Sequence, residues 1–390
     1  MFDPESLNAD WNFPTNVRQG IGRVGKLPEY CKELGMKAPL IITDPGLVDL
    51  PMIVQAKENC IDNGLNCGIF SDIVGNPTDV NVYAGLEAFK SGNHDGVIAF
   101  GGGSAIDAAK AVALLVGQDG GLWDYEDVGS NWRDVNHEKM APVVAVPTTS
   151  GTGSEVGRAS VIMDPVKHLK RIIFHPKMMP GIVILDAELT VGLPEKLTAA
   201  TGMDALSHAL EAYCANYFHP MAEGIALEAI RLIKLYLPRA TKDGTDIEAR
   251  AQVMVASTMG ATAFQRGLGG MHALAHSLGA LYNRHHGLLN AILMPYVLKA
   301  NRLIIEERIE RLARYIELKD SSFNGFLNWV IETRVQLKIP HSLSDIGIDL
   351  EQSKKVGEMA LSDPTAGGNP LQLSSEDYSR IFESAVNGDL

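Results

Sequence analysis

Residues 96–117 read GVIAFGGGSAIDAAKAVALLVG. The first five are an apolar run of strand length. Three glycines and a serine follow, and then an Ala-, Leu- and Val-rich stretch at helical spacing. A strand without polar alternation is buried on both faces, as in a parallel sheet. A glycine-rich turn from such a strand into a helix marks a βαβ unit. Four more short apolar runs repeat the theme: PLIITD (39–44), CGIFSDI (67–73), PVVAVP (142–147) and IVILD (182–186). Helical patterns at 51–64 and 82–92 lie between them. The first half is therefore expected to be an α/β domain around a parallel sheet.

After about residue 192 the strand signals nearly vanish. Segments 195–215, 221–238, 246–266, 271–283, 287–300, 303–317 and 321–336 all read at helical spacing. Strand-helix alternation followed by helices alone predicts two domains. The Gly-Leu-Pro break between Thr190 and Pro194 sets the expected division at 1–191, α/β, and 192–390, all-helical.

The 390 residues include 34 Lys and Arg against 47 Asp and Glu, a formal net charge of -13. That balance argues against nucleic acid or an anionic membrane as a partner, since both call for a basic patch. With 46% hydrophobic and 21% charged residues the chain has a globular composition. Cys31, Cys60, Cys67 and Cys214 form no CxxC pair and no tight cluster, so neither a disulfide framework nor a cysteine zinc site is expected. MFDPESLNADWNF is acidic where a signal peptide would be basic and then apolar. No run reaches the roughly 20 apolar residues of a membrane span. A reducing cytoplasm is the expected location.

Two loops and one carboxylate suggest a phosphate-bearing ligand. Gly101, Gly102, Gly103 and Ser104 form a strand-to-helix turn where backbone N–H groups can approach a phosphate at the positive end of a helix. PTTSGTGSE (147–155) also follows a strand directly and offers hydroxyls beside close backbone approach. Ligands of open α/β sheets bind outside the carboxyl ends of the strands. Asp44 ends the strand PLIITD, where a carboxylate can accept from both ribose hydroxyls and repel a 2′-phosphate. The usual dinucleotide fingerprints do not apply. The loop is neither GxGxxG nor GxxxxGK[ST], and the acidic residue precedes the glycines instead of following them.

Four of eleven histidines crowd into MHALAHSLGALYNRHHG (271–287). Upstream, Asp204 and His208 stand four apart in TGMDALSHALEAY (201–213). His272 and His276 repeat that spacing, which puts each pair on one helix face. Carboxylate with imidazole suits a divalent transition metal such as iron or zinc. Spacing leaves open which of the five histidines bind it.

The motifs GNPT (75–78), GGGSAIDAAK (101–110), PTTSGTGSE, DAELT (186–190), TGMDALSHALEAY, HALAHSLGALYNRHHG (272–287) and GGNP (367–370) resemble those of the iron-containing, group III, alcohol dehydrogenases. They run in the family's order over nearly the whole chain. The resemblance implies an N-terminal α/β domain for NAD, with NADP disfavoured, and a helical domain for Fe2+, with Zn2+ or another divalent ion as alternatives. It implies metal ligation by Asp204, His208, His272 and His286, with His276 beside the metal as a catalytic residue in the proton path. Asp44, Asn76, Gly102, Gly103, Ser104, Asp107, Thr148, Thr149, Thr152, Lys170 and Leu189 match positions that line the dinucleotide. His285 stands where many members have proline. Ala159 replaces a polar Asn common in small-diol reductases, and Leu371 follows GGNP where Arg is usual.

The implied activity is metal-dependent hydride transfer between a small alcohol or aldehyde and NAD(P), in a homodimer or larger homo-oligomer. A zinc-dependent, glycerol-dehydrogenase-like polyol oxidase and a dehydroquinate-synthase-like lyase are the nearest rivals. The PTTSGTGSE and HALAH motifs count against both. A non-catalytic NAD sensor would lack a metal ligand, and none is missing.

Overall fold

Val97, Ile98, Ala99 and Phe100 have no exposed surface, as expected of a strand covered on both faces. They belong to β4 (Gly96–Gly101), near the middle of a six-stranded sheet in the computed structural model, which describes residues 14–167 and 169–390. From one edge, the sheet runs β1 (Asn16–Gln19), β8 (Ile182–Leu185), β5 (Val143–Pro147), β4, β2 (Pro39–Ile42) and β3 (Gly68–Phe70). Every neighbouring pair is parallel.

The connectivity locates the site. From β2 the chain goes outward to β3, returns past β2 to β4, and continues to β5 and β8. The direction of winding reverses between β2 and β4, and a reversal of this kind opens a crevice at the strands' carboxyl ends. Asp44 follows β2, Gly101–Ser104 ends β4 and begins the next helix, and Thr148 follows β5. One face of the sheet supplies Ile41, Ile98, Phe100, Val144, Val146, Ile182 and Ile184 to a core with α1 (Leu27–Glu33) and α2 (Pro51–Asp62). On the other side, α3 (Asp79–Ser91) packs against α4 (Gly103–Leu115), which lies on β4 and β5.

Two features of this unit depart from the sequence reading. An antiparallel hairpin, β6 (Ala159–Asp164) and β7 (Leu169–Phe174), follows the second loop, and the polar edge strand β1 opens the sheet. Their apolar runs are too short for the test that finds central strands. Cys31, Cys60 and Cys67 meet in the core beneath the sheet, where Cys60 hydrogen-bonds with both of the others. Those bonds and burial push the Cys31 and Cys67 thiols up. All four cysteines remain free and buried.

The described residues up to Gly192 form one compact unit, and Leu193–Leu390 form another. The division falls one residue after the expected position, and residues 1–13 lie outside the described residues. The helical unit consists of α5 (Glu195–Cys214), α6 (Pro220–Lys242), α7 (Ile247–Ala263), α8 (Gly270–Tyr282), α9 (His286–Tyr315), α10 (Phe323–Gln336), α11 (Ser353–Ser362) and α12 (Ser375–Asn387). α5 is buried continuously from Thr198 to Cys214, which makes it the centre of this unit. It packs against α6, α7 and α9.

The expected segments 287–300 and 303–317 are one helix, α9, that runs through the interior position Pro295. By length and the apolar character of part of its sequence α9 passes as a membrane-span candidate, although its second half carries Glu306, Glu307, Arg308, Glu310, Arg311 and Arg314. Instead, its apolar residues fill the core of the helical unit. Helices α11 and α12 lie beyond the segments read from sequence.

Candidate functional site

In the α/β unit, backbone and short polar side chains form the crevice. Gly103 opens α4, and a Cβ there would lie 2.6 Å from the Thr152 side chain, so only glycine lets the two loops touch. Ser104 Oγ donates to Gly75 O at 2.6 Å and ties the first loop to the GNPT segment. Thr148 is buried, and its N–H donates to Gly101 O at 3.0 Å. Thr149 and Thr152 are partly exposed beside these contacts, and Gly102 is the N-cap of α4. Asp44 is half-buried, and its Oδ1 accepts Gly46 N–H at 2.9 Å. Burial pushes its carboxyl up, against hydrogen bonds that lower it.

Asp107 serves the protein's own framework. Asp107 accepts Ser154 Oγ–H on one oxygen and Val161 N–H, at 3.0 Å, on the other. It therefore braces the second loop from beneath. Leu189 is buried in the core under the sheet. Lys170 lies on β7, paired with Met163. Asn76 lies in the GNPT segment after β3.

Sequence reasoning missed Lys110, which is fully buried one turn after Asp107. Its ammonium donates to Ser154 O at 2.9 Å and to the carbonyls of Gly157 and Ala159. Burial lowers its pKa, while Asp107 and Glu155 oppose that effect. Its signal was a lysine in an otherwise apolar helix, where a charge persists only if it is paired.

In the helical unit the site is made of side chains. Asp204 and His208 lie on α5, His272 on α8, and His286 is the first residue of α9. One donor atom from each lies within 4.8 Å of the others. Asp204, His208 and His272 are buried, and His286 is partly exposed. Asn283 takes the left-handed conformation at the end of α8 and turns the chain back. Gly287 then completes the approach: a Cβ there would lie 2.5 Å from Ala200 O and 3.0 Å from Asp204 Cβ. That contact brings His286 Nε2 to 3.6 Å from Asp204 Oδ1.

The donor set fits a divalent metal ion. One carboxylate and three imidazoles converge, and Asn290 Nδ2 donates to Asp204 Oδ1 at 2.8 Å. The Asn290 Nδ2 atom also lies 3.3 Å from His272 Nε2 and 3.1 Å from His286 Nε2. Glu211 Oε2 lies 2.6 Å from His272 Nδ1. Burial works to lower the His272 pKa. The charge and hydrogen bond of Glu211, with Asp204 and Asp363, outweigh it and hold the imidazole above its ordinary value.

His276 stands apart from the four. Its ring stacks on His286 at 5.2 Å, and its Nδ1 lies 3.0 Å from Asp363 Oδ2. Burial raises Asp363, but His276 and Thr365 pull it below the ordinary carboxylate range. His285 caps α9 from an exposed position. Asn369 of GGNP accepts Gly270 N–H at 3.1 Å and exchanges hydrogen bonds with Asn301, so this motif clamps the start of α8.

The two units define a class: an NAD-dependent oxidoreductase with a divalent metal. The chain belongs to the iron-containing alcohol dehydrogenase family, whose model "Iron-containing alcohol dehydrogenase" matches residues 14–187. The model "Fe-containing alcohol dehydrogenase family, C-terminal" matches residues 198–386. A 4-hydroxybutyrate dehydrogenase of Cupriavidus necator is 37% identical, covering 95% of this chain and 98% of its own. A solved 1,3-propanediol oxidoreductase superposes with a TM-score of 0.91 at 32% identity, covering 96% of this chain and 99% of its own. Sulfoacetaldehyde reductase from Bifidobacterium kashiwanohense, solved with NAD+, gives a TM-score of 0.89 at 27% identity, covering 97% and 99%. NAD and ferrous iron are the cofactors that fit this family.

Proposed function

We propose that the protein interconverts a short, terminally hydroxylated compound and its aldehyde with NAD, using one divalent ion held by Asp204, His208, His272 and His286. The convergence of those four donors, from three helices, carries this reading. When bound, the ion supplies Lewis acidity toward the carbinol oxygen, and the nicotinamide accepts or returns the hydride.

The chain's residues bind, orient and move a proton. Asp363 accepts the His276 Nδ1–H and leaves Nε2 as the nitrogen that takes the carbinol proton. An imidazole oriented by a carboxylate is suited to relay a proton in either direction. Asn290 holds Asp204 by one oxygen. Asp44 receives the adenosine ribose. Gly102, Gly103, Ser104, Thr148, Thr149 and Thr152 surround the phosphates, with Asn76, Lys170 and Leu189 as further lining positions and Asp107 bracing the loop.

The named substrates of the relatives, 4-hydroxybutyrate and 1,3-propanediol, make three- and four-carbon compounds the first to test. Metal-loaded protein with NAD and a panel including both compounds should form NADH, with metal assayed on the same sample. No turnover with any primary alcohol, and none with the matching aldehydes and NADH, would overturn the reading. Four free thiols support a reducing, cytoplasmic setting. A homodimer or larger assembly is the state proposed for sedimentation analysis to test.

A further inference from the structure

We propose that Glu211 is a positioning residue of the metal centre: its carboxylate keeps the His272 proton on Nδ1 and so presents Nε2 to the ion. The proposal rests on the reading of His272 as a ligand. Glu211 follows Asp204 by seven residues and His208 by three on α5, so all three share one helix face. It is buried, and its carboxylate meets Gly269, Met271 and His272 at the start of α8. Its Oε2 accepts Gly269 N–H at 2.9 Å, and its Oε1 accepts Met271 N–H at 2.7 Å.

Those two partners are amides and can only donate. Both carboxylate oxygens are thus committed as acceptors, at the positive end of a helix that favours their charge. An ionised carboxylate has no proton to give, so at the 2.6 Å contact with His272 Nδ1 the imidazole is the donor. A carboxylate behind a ligating histidine fixes its ring orientation and raises its basicity, an effect typically worth about 10–100-fold in metal affinity.

Glu211→Gln separates this role from that of a helix cap. The glutamine has nearly the same shape, and its oxygen still serves one amide. Its NH2 group faces both His272 Nδ1 and Gly269 N–H from the Oε2 position, or Met271 N–H from the Oε1 position. The conflict with His272 is relieved when Nδ1 becomes the acceptor, which moves the ring proton to Nε2, the nitrogen meant for the metal.

The test compares wild type, Glu211→Gln and His272→Ala. It measures Co2+ and Zn2+ affinity by chelator competition, the visible spectrum of the Co2+ protein, and NADH affinity by fluorescence. The glutamine variant is expected to lose about 10–100-fold in metal affinity and to change the Co2+ spectrum, with NADH affinity within about twofold of wild type. Wild-type affinity and spectrum in Glu211→Gln, with metal lost in His272→Ala, would overturn this proposal alone. Unchanged metal binding in His272→Ala would overturn the ligand reading and the proposal with it. If the glutamine variant does not fold, Glu211→Asp carries the test. It keeps the charge but shortens the reach, and wild-type metal affinity and spectrum there would overturn the proposal.

Discussion

The two units build their sites from different materials. The α/β unit uses backbone: loops at the ends of parallel strands, two of them in contact at Gly103 and Thr152, with a lysine buried underneath. The helical unit uses side chains: four donors on three helices, set by helical period and one close helix crossing. A backbone site tolerates most side-chain changes but not an added Cβ where loops touch. A donor cluster tolerates its surroundings but not the loss of one member.

The largest effect should therefore come from the donor cluster. His272→Ala or His286→Ala should lose the metal and reduce turnover by about 10³-fold or more, the equivalent of several kcal/mol of charge stabilisation. NADH binding, measured by fluorescence, should persist because the site proposed for it lies in the other unit. Retained metal in both variants would break the contrast.

His276→Ala should come next. Metal content and NADH affinity should stay near wild type while kcat falls about 10²–10⁴-fold and the pH profile loses a limb. Asp363→Asn should move the pH profile in the same experiment, since it alters the group that orients the ring. Metal loss from the His276 variant would make it a fifth donor. An unchanged profile would leave it a packing residue.

Gly103→Ala tests the backbone site. The new Cβ would lie 2.6 Å from the Thr152 side chain, and overpacking of this kind costs about 1–3 kcal/mol. The KM for NAD should rise about tenfold, with metal content unchanged. Thr152→Ala in the same chain removes both crowding atoms, Cγ2 at 2.6 Å and Oγ1 at 2.7 Å, and should recover part of that loss. Failure to recover would place the strain elsewhere in the loop.

The smallest effect concerns cofactor choice. Asp44→Gly should shift relative use toward NADP several-fold, mostly through KM, because in the role proposed for it the carboxylate both accepts ribose hydroxyl protons and repels a phosphate. A wild type that already uses NADP as well as NAD would remove that role from Asp44.

Residue spacing made much of this readable. Unbroken apolar runs marked the five strands from β2 to β5 and β8, because a strand covered on both faces has no polar side. The i, i+4 pairs Asp204/His208 and His272/His276 were visible because a helix has one period. Their partners were not. Asp363 lies 87 residues from His276, and Asn290 reaches Asp204 across 86. Glu211 did leave a local signal: an acidic residue on the Asp204 face of a helix too apolar to be exposed.

The sequence by itself determined the sheet-then-helices order, the glycine loops and the candidate donors, since those follow from local period and chain chemistry. Spacing left open which histidines meet; the family resemblance implied Asp204 with His208, His272 and His286, and the tertiary structure brings those four together. His286 joins Asp204 because Asn283 turns the chain and Gly287 lets α9 press on Ala200. It also decided that Asp107 braces a loop and that Glu211 holds a ring. Hydrogen-bond partners depend on which distant atoms share a buried space, and that information is spread over the whole chain.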